Sequence, residues 1–146
     1  MAAAALSDYR RLVIKVGSSL LVDESGQLNR RWLQSLADDL AEFQADNHEV
    51  LIVSSGAIAL GSSVLGINKK RARLPDLQAA AAAGQVQLVH AFQEALCKHR
   101  IQAALILLTP EDTVKRRRFL NARSTLSRLL DLSVVPIENE NDTVTT

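Results

Sequence analysis

The chain has 146 residues, of which 47% are hydrophobic, 23% charged and 3% aromatic, and its formal net charge is +1. This balance predicts one folded domain with an aliphatic core and excludes a disordered chain. The small net charge gives no general attraction to nucleic acid, and no run of about 18 apolar residues indicates a membrane span. Cys97 is the only cysteine, which excludes an internal disulfide, and no signal peptide is recognised, so a cytoplasmic location is expected.

Short apolar runs alternate with longer amphipathic segments along the chain. The apolar runs predict four β-strands, over residues 11–17, 49–55, 102–108 and 134–137. The amphipathic segments predict helices that begin at Asn29, span 57–65 and 74–99, and run from Phe119 to Leu130. Gly66 follows the second helix and Pro75 lies in the first turn of the third, as is typical of helix ends and starts. This order predicts an α/β fold with a mainly parallel sheet between helical layers over 11–146, preceded by a flexible segment, 1–10.

Four polar clusters each follow a predicted strand. They are "GSS" at 17–19, "SSG" at 54–56, "TPED" at 109–112 and "NEND" at 139–142. Because the carboxyl ends of parallel strands share one edge of the sheet, the four clusters are expected to converge there. Open α/β sheets bind their ligands at that edge.

The "SSG" cluster lies between a predicted strand and a predicted helix. Gly56 permits a close approach of the backbone, and the start of the following helix directs free N–H groups and a positive dipole end towards the sheet edge. This combination suits a carboxylate or a phosphate. The alternative is structural, with Ser55 serving as the helix N-cap.

Lys15 is the single charged residue inside an otherwise apolar strand. Because an unpaired ammonium is costly to bury, its side chain must reach solvent or an anion. Two residues before Gly17, it is placed to face a phosphate at the sheet edge. The alternative is a solvated lysine on an edge strand.

The "NEND" cluster offers two amides and two carboxylates. Carboxylates this close raise one another's pKa unless a cation lies between them, which a substrate ammonium or Mg²⁺ would supply. A polar turn rich in Asn and Asp is the alternative. The basic clusters 69–73 and 115–118 lack interleaved aromatics and are interpreted as solvated, and no P-loop motif is present.

Five motifs together carry a family resemblance. They occur in the order "VIKVGSSLL", "VSSGAIALG", "LQAAAAAGQ", "FLNARSTL" and "VPIENENDTV", from about Arg11 to the end of the chain. In this order they resemble the glutamate 5-kinase branch of the amino acid kinase family. The resemblance implies a three-layer α/β/α fold of the amino acid kinase type.

The resemblance also implies roles for individual residues. It makes Lys15 the catalytic lysine that contacts the phosphates of ATP, with Gly17 and Ser18 also at the nucleotide. The residues that it assigns to the glutamate site are Ser55, Gly56, Ala57, Asn139 and Asp142. Of these, Asp142 has the charge suited to the substrate ammonium.

The implied reaction is transfer of the ATP γ-phosphoryl group to the side-chain carboxylate of L-glutamate, the first step of proline biosynthesis, with Mg²⁺ as cofactor. No catalytic base is required, because the carboxylate is already a nucleophile at neutral pH. The family resemblance further implies a cytoplasmic homo-oligomer with no nucleic acid or membrane partner, and it leaves feedback by proline open.

Two departures from the family pattern are evident. Glu138 stands where the family generally has an apolar residue, and the family's kinase domain continues well beyond Thr146 into most of the nucleotide pocket. The chain therefore resembles the glutamate-side portion of such an enzyme. The alternatives are another amino acid kinase, a non-catalytic module that binds glutamate or proline and, least favoured, a nucleic-acid-binding protein.

Overall fold

The computed structural model describes residues 5–145. Its four strands are β1 (Arg11–Val16), β2 (Glu49–Ser54), β3 (Ala103–Leu108) and β4 (Val135–Glu140). Its six α-helices are α1 (Ser18–Leu21), α2 (Arg30–Ala45), α3 (Ala57–Leu65), α4 (Leu74–Cys97), α5 (Pro110–Val114) and α6 (Arg116–Asp131). A 3₁₀ turn spans Leu6–Asp8. Since residues 1–4 lie outside the described part, a flexible segment 1–10 stays a prediction.

The four strands form one parallel sheet in the order β1-β2-β4-β3. The chain steps outward from β1 to β2 and on to β3, and then returns to place β4 between β2 and β3. Right-handed crossovers put the returning connection, α6, on the opposite face of the sheet from α2 and α4. This arrangement confirms the predicted α/β fold with helices on both faces.

The main core lies between the sheet and the helix pair α2 and α4. Alternate residues of the strands point into it, including Val16, Ile52 and Ile137, and they pack with Leu88 and Phe92 of α4. The predicted helix start at Asn29 is confirmed in detail: α2 begins at Arg30, and the Asn29 side-chain oxygen accepts a hydrogen bond from the Trp32 amide at 3.2 Å. Aliphatic side chains thus supply almost the whole core.

Strand β4 is longer than its apolar sequence indicates. It was predicted to end at Ile137, but it continues to Glu140 and pairs with β3 along its whole length. Pairing in the middle of a sheet satisfies backbone groups whatever the side chains are, so tertiary context overrides the polar sequence. Half of the "NEND" cluster therefore belongs to the strand, and the other half forms the turn after it.

Helices α3 and α4 pack with their backbones in contact. A Cβ atom placed on Gly84 would overlap the carbonyl oxygen of Ala57, and one placed on Gly61 would overlap that of Ala80. These two glycines let the first turn of α3 lie against the middle of α4. The start of α3 is thereby held at the carboxyl edge of the sheet.

Helices α1 and α5 were not predicted. They have four and five residues, which is too short for a hydrophobic period to be visible in the sequence. Across residues 5–145, no helix has the length and apolar character needed to cross a bilayer.

Candidate functional site

A cleft of about 350 Å³ lies at the carboxyl edge of the sheet, and all four strands contribute to its wall. The contributing residues include Lys15 of β1, Ser54 of β2, Leu108 of β3 and Glu140 of β4, with Ser55 and Thr109 from the following turns. The predicted convergence is therefore confirmed for three of the four polar clusters, whereas no residue of the "GSS" cluster at 17–19 lines this cleft. We refer to this feature as the edge cleft.

Larger cavities lie elsewhere in residues 5–145. One of about 530 Å³ separates the loop 22–28 from α3, one of about 600 Å³ lies beside His48 and Glu49 at the start of β2, and one of about 370 Å³ lies between α5 and the turn after β4. Volume alone does not identify the ligand site among these cavities and the edge cleft, because open α/β sheets bind ligands outside the carboxyl ends of their strands. The edge cleft lies at that position.

The turn between β2 and α3 is shaped by a glycine. Gly56 has φ +112° and ψ −4°, and it is the N-cap residue of α3. No side chain caps this helix, so the first-turn N–H groups stay available to an acceptor. The alternative interpretation of Ser55 as the helix cap is wrong: its hydroxyl donates to the Val16 carbonyl at 3.3 Å, and its amide donates to the same oxygen at 3.1 Å.

Lys15 lies near the end of β1, and its side chain is exposed at the edge cleft. The register places Lys15 opposite Val53, which in turn pairs with Glu138. Since cross-strand partners share a face of the sheet, the ammonium of Lys15 and the carboxylate of Glu138 lie on one face, two strands apart. The alternative interpretation, a solvated lysine on an edge strand, also describes this position, because β1 lies at one edge of the sheet.

Gly17 and Ser18 lie beside the edge cleft rather than in its wall. Gly17 is the N-cap residue of α1 at φ −75°, and a Cβ atom placed on it would meet nothing within 4 Å. Ser18 lines the 530 Å³ cavity, and its Cα atom would be 3.6 Å from a Cβ atom on Gly56. The fold itself thus requires no glycine at position 17.

Asn139 is buried near the end of β4, and its side chain makes two hydrogen bonds. Its side-chain oxygen accepts from the Glu140 amide at 2.9 Å, and its Nδ2 donates to the Gln85 oxygen at 2.7 Å. Sequence reasoning missed Gln85, although it ends one of the five motifs. A single polar residue in line with Ala81, Leu88 and Phe92 on the buried face of α4 is the signal that could have found it.

Asp142 lies in the turn after β4 and is half-buried. Burial, and to a smaller extent the negative charge of Glu140, raise the pKa of the Asp142 carboxyl above its usual value. The turn is tied to α4 by a hydrogen bond of 3.3 Å from the Gln78 side chain to the Thr145 carbonyl. The Asp142 carboxylate is therefore suited to a cationic partner.

The raised pKa predicts a pH-dependent stability effect of Asp142→Asn. A folded-state pKa above the unfolded one means that stability falls as pH rises through that interval, and the penalty is complete at neutral pH. We expect Asp142→Asn to raise Tm slightly at pH 7, and the gain to vanish at about pH 3, below the ordinary aspartate pKa. Thermal melts at both pH values measure this, with Asp39→Asn, exposed in the middle of α2, as control. A lower Tm at pH 7 would contradict the prediction.

The structure thus brings Lys15, Ser55 and Asn139 to one cleft, starts α3 at Gly56 and Ala57 beside it, and puts Asp142 in the adjoining turn. An all-parallel sheet with helices on both faces defines an α/β protein, and its edge cleft lies where sheets of this class bind ligands. The chain belongs to the amino acid kinase family, whose sequence model matches residues 10–146.

Curated relatives within that family are close in sequence. The glutamate 5-kinases of Brucella abortus (strain S19), Brucella ovis and Brucella canis are each 56% identical to the chain over 141 residues, which is 97% of it. The chain spans 37% of the length of these relatives. The predicted resemblance to glutamate 5-kinases is therefore confirmed for this portion of their length.

A solved structure supports the fold independently. The isopentenyl phosphate kinase of T. acidophilum, solved as a product complex, aligns with a TM-score of 0.59 over 89% of this chain and 54% of that protein. At 14% identity this likeness concerns the fold alone. It agrees with the predicted amino acid kinase-like architecture.

Proposed function

We propose that the edge cleft serves the ATP-dependent phosphorylation of the side-chain carboxylate of L-glutamate, which yields L-glutamyl 5-phosphate and ADP. The observation that carries this proposal is the position of Lys15 in the wall of the edge cleft, with Ser55 in the same wall and the uncapped start of α3 directly after it. Both features attract anions, as the two reacting groups require. The 56% identity to glutamate 5-kinases supports this choice of substrate.

L-Glutamate would lie at the start of α3. The backbone N–H groups around Ser55, Gly56 and Ala57 would bind a carboxylate, since α3 has no side-chain cap. Asp142 would pair with the ammonium, which relieves the unfavourable burial of its charge. Asn139, bonded on two sides, would hold the end of β4 rigid beneath the substrate.

The phosphates of ATP would lie on the Lys15 side of the edge cleft, with Gly17 and Ser18 at the adjoining start of α1. The open space at Gly17 fits a group that approaches the backbone closely. Glu138 and Glu140 also line the edge cleft, so its carboxylates outnumber its ammonium. A polyphosphate therefore calls for a divalent cation such as Mg²⁺, which would neutralise charge on the transferred group.

The chain's own contribution to the reaction is alignment and charge neutralisation. The substrate carboxylate attacks the γ-phosphorus, an oxygen–phosphorus bond forms, and the bond to the leaving ADP breaks. No residue has to remove a proton. Lys15 would balance the negative charge that spreads over the transferred oxygens, as in phosphoryl transfer generally.

The wider setting follows from the same proposal. The product is the activated acid of the first step of proline biosynthesis, and we propose a cytoplasmic homo-oligomer, with feedback by proline left open. No nucleic acid partner is proposed, because the chain has a net charge of only +1.

Calorimetric titration of the chain with L-glutamate and with ATP tests the proposal. We expect L-glutamate to bind, and Asp142→Asn to weaken binding by roughly tenfold or more because a charged hydrogen-bond partner of the ammonium is lost. Asp39→Asn is the control. A thermal melt of Asp142→Asn, which is expected to show a slightly higher Tm than wild type, distinguishes weaker binding from unfolding. Unchanged glutamate affinity in Asp142→Asn would contradict the proposed role.

The same titration separates a second candidate, a non-catalytic module that binds glutamate or proline. Such a module would need only the uncapped start of α3 and the carboxylate of Asp142, and no nucleotide. Binding of L-glutamate or proline without ATP would indicate such a module. Binding of L-glutamate and ATP together favours the kinase.

A further inference from the structure

Gln85 is a polar exception on the buried face of α4. Ala81, Leu88 and Phe92 recur with it at helical spacing, and all of these residues are buried. Only 9% of Gln85 is exposed. A buried carboxamide is costly unless its donors and acceptor are all satisfied. Its place in an otherwise apolar row therefore calls for a specific partner.

Hydrogen bonds determine which end of the Gln85 amide is free. The backbone N–H of Glu140 donates to the Asn139 oxygen at 2.9 Å, which turns the NH₂ group of Asn139 towards α4. That NH₂ group donates to the oxygen of Gln85 at 2.7 Å. Turning either amide over would set donor against donor or break one of these bonds. The NH₂ group of Gln85 is therefore directed away from Asn139.

The NH₂ group of Gln85 is buried and has no acceptor within residues 5–145. Its chain neighbour Gly84 touches Ala57, the first residue of α3. Gln85 thus lies where α4, the end of β4 and the start of α3 meet. The start of α3 also presents donors without a side-chain cap. The unpartnered NH₂ group of Gln85 and the uncapped start of α3 thus lie near one junction, where an acceptor from a ligand or a water molecule would satisfy the amide.

We propose that the NH₂ group of Gln85 donates a hydrogen bond to a carboxylate oxygen of the acidic substrate, and that Asn139 orients it for this contact. The inference rests on the proposed function for the identity of the substrate as L-glutamate. A carboxylate fits better than a neutral acceptor, because the positive end of the α3 dipole lies at the same junction. Gln85 is thereby a substrate-binding residue that recognises the acid group.

Two measurements test the inference. In the first, the side-chain NH₂ signals of Gln85 are followed by ¹⁵N NMR as the ¹⁵N-labelled wild-type chain is titrated with L-glutamate and separately with glutarate, a dicarboxylate that lacks the ammonium. In the second, the affinity of Gln85→Glu for L-glutamate is measured at pH 8. Gln85→Glu keeps a side-chain oxygen that accepts the hydrogen bond from Asn139, and it replaces the NH₂ donor by a second oxygen. Gln93→Glu, the same change at an exposed position of α4, is the control.

We expect the Gln85 signals to shift on titration, and Gln85→Glu to weaken L-glutamate binding by about tenfold to a hundredfold while Gln93→Glu leaves it unchanged. If L-glutamate binds without moving these signals, the inference is overturned and the proposed function stands. If glutarate moves them but L-glutamate does not bind, carboxylate recognition by Gln85 stands and the proposed function falls. If neither ligand moves the signals, an internal water satisfies the amide and the inference is wrong.

Discussion

Gly84→Ala is expected to destabilise the chain strongly by forcing α3 and α4 apart. The new Cβ atom would overlap the carbonyl oxygen of Ala57 and come within 2.6 Å of the Gly61 amide nitrogen. Both are backbone atoms, so no side chain can rotate away and α3 must separate from α4. Overpacking of this kind costs typically 1–3 kcal/mol and occasionally more, out of a total stability of about 5–15 kcal/mol.

Helix propensity alone predicts the opposite sign, which makes the substitution informative. Alanine is favoured over glycine inside a helix by about 1 kcal/mol. Ala82→Gly, at an exposed position two residues away on the same helix, measures that propensity effect by itself. We expect denaturant unfolding to show a larger loss for Gly84→Ala than for Ala82→Gly. A Gly84→Ala chain as stable as wild type would mean that the two helices do not pack backbone to backbone.

The same substitution also affects the candidate site. Separating α3 from α4 would move the Gly56–Ala57 turn away from Gln85 and Asn139, which α4 and β4 hold. Glutamate affinity is therefore expected to fall together with stability. The small residues in "LQAAAAAGQ" and "VSSGAIALG" would then act on the site indirectly, because they set the distance between two helices.

Much of the fold could be predicted because the local signals agree with the tertiary structure. The apolar run 49–55 and the glycine at position 66 bound β2 and α3 almost to the residue. The end of β4 could not be predicted in this way. Glu138, Asn139 and Glu140 have turn-like or charged side chains, and only pairing with β3 in the middle of the sheet makes them a strand.

The residues of the candidate site likewise differ in how far local sequence signals predict them. Lys15 and Gly56 could be singled out from the sequence, because a charge inside an apolar strand and a glycine before a helix are both local signals. The hydrogen bond between Gln85 and Asn139 joins residues 54 positions apart, and no local pattern contains it. The role of Ser55 depends on a contact too, since its hydroxyl reaches the Val16 carbonyl of the neighbouring strand.

Lys15→Ala is expected to abolish most of any glutamate-dependent ADP formation while leaving glutamate affinity close to the wild-type value. The Lys15 side chain is exposed, and β1 is held by its backbone pairing with β2, so its removal should not disturb the fold. Removing one group that stabilises developing charge costs about 10²–10³ in rate. The expected loss therefore lies in the rate and in ATP affinity.

Two comparisons make the Lys15 result decisive. Lys70→Ala removes an exposed lysine outside the edge cleft, and it should change neither ATP nor glutamate binding. Lys15→Arg keeps the charge but replaces a compact ammonium with a planar guanidinium, so we expect it to retain part of the rate and of the ATP affinity that Lys15→Ala loses. Since Glu138 and Glu140 also line the edge cleft, losing the ammonium leaves carboxylates facing the phosphates. ATP binding in Lys15→Ala should therefore recover partly when Mg²⁺ is raised. An equal loss of ATP and glutamate binding would instead assign Lys15 to the general electrostatics of the whole edge.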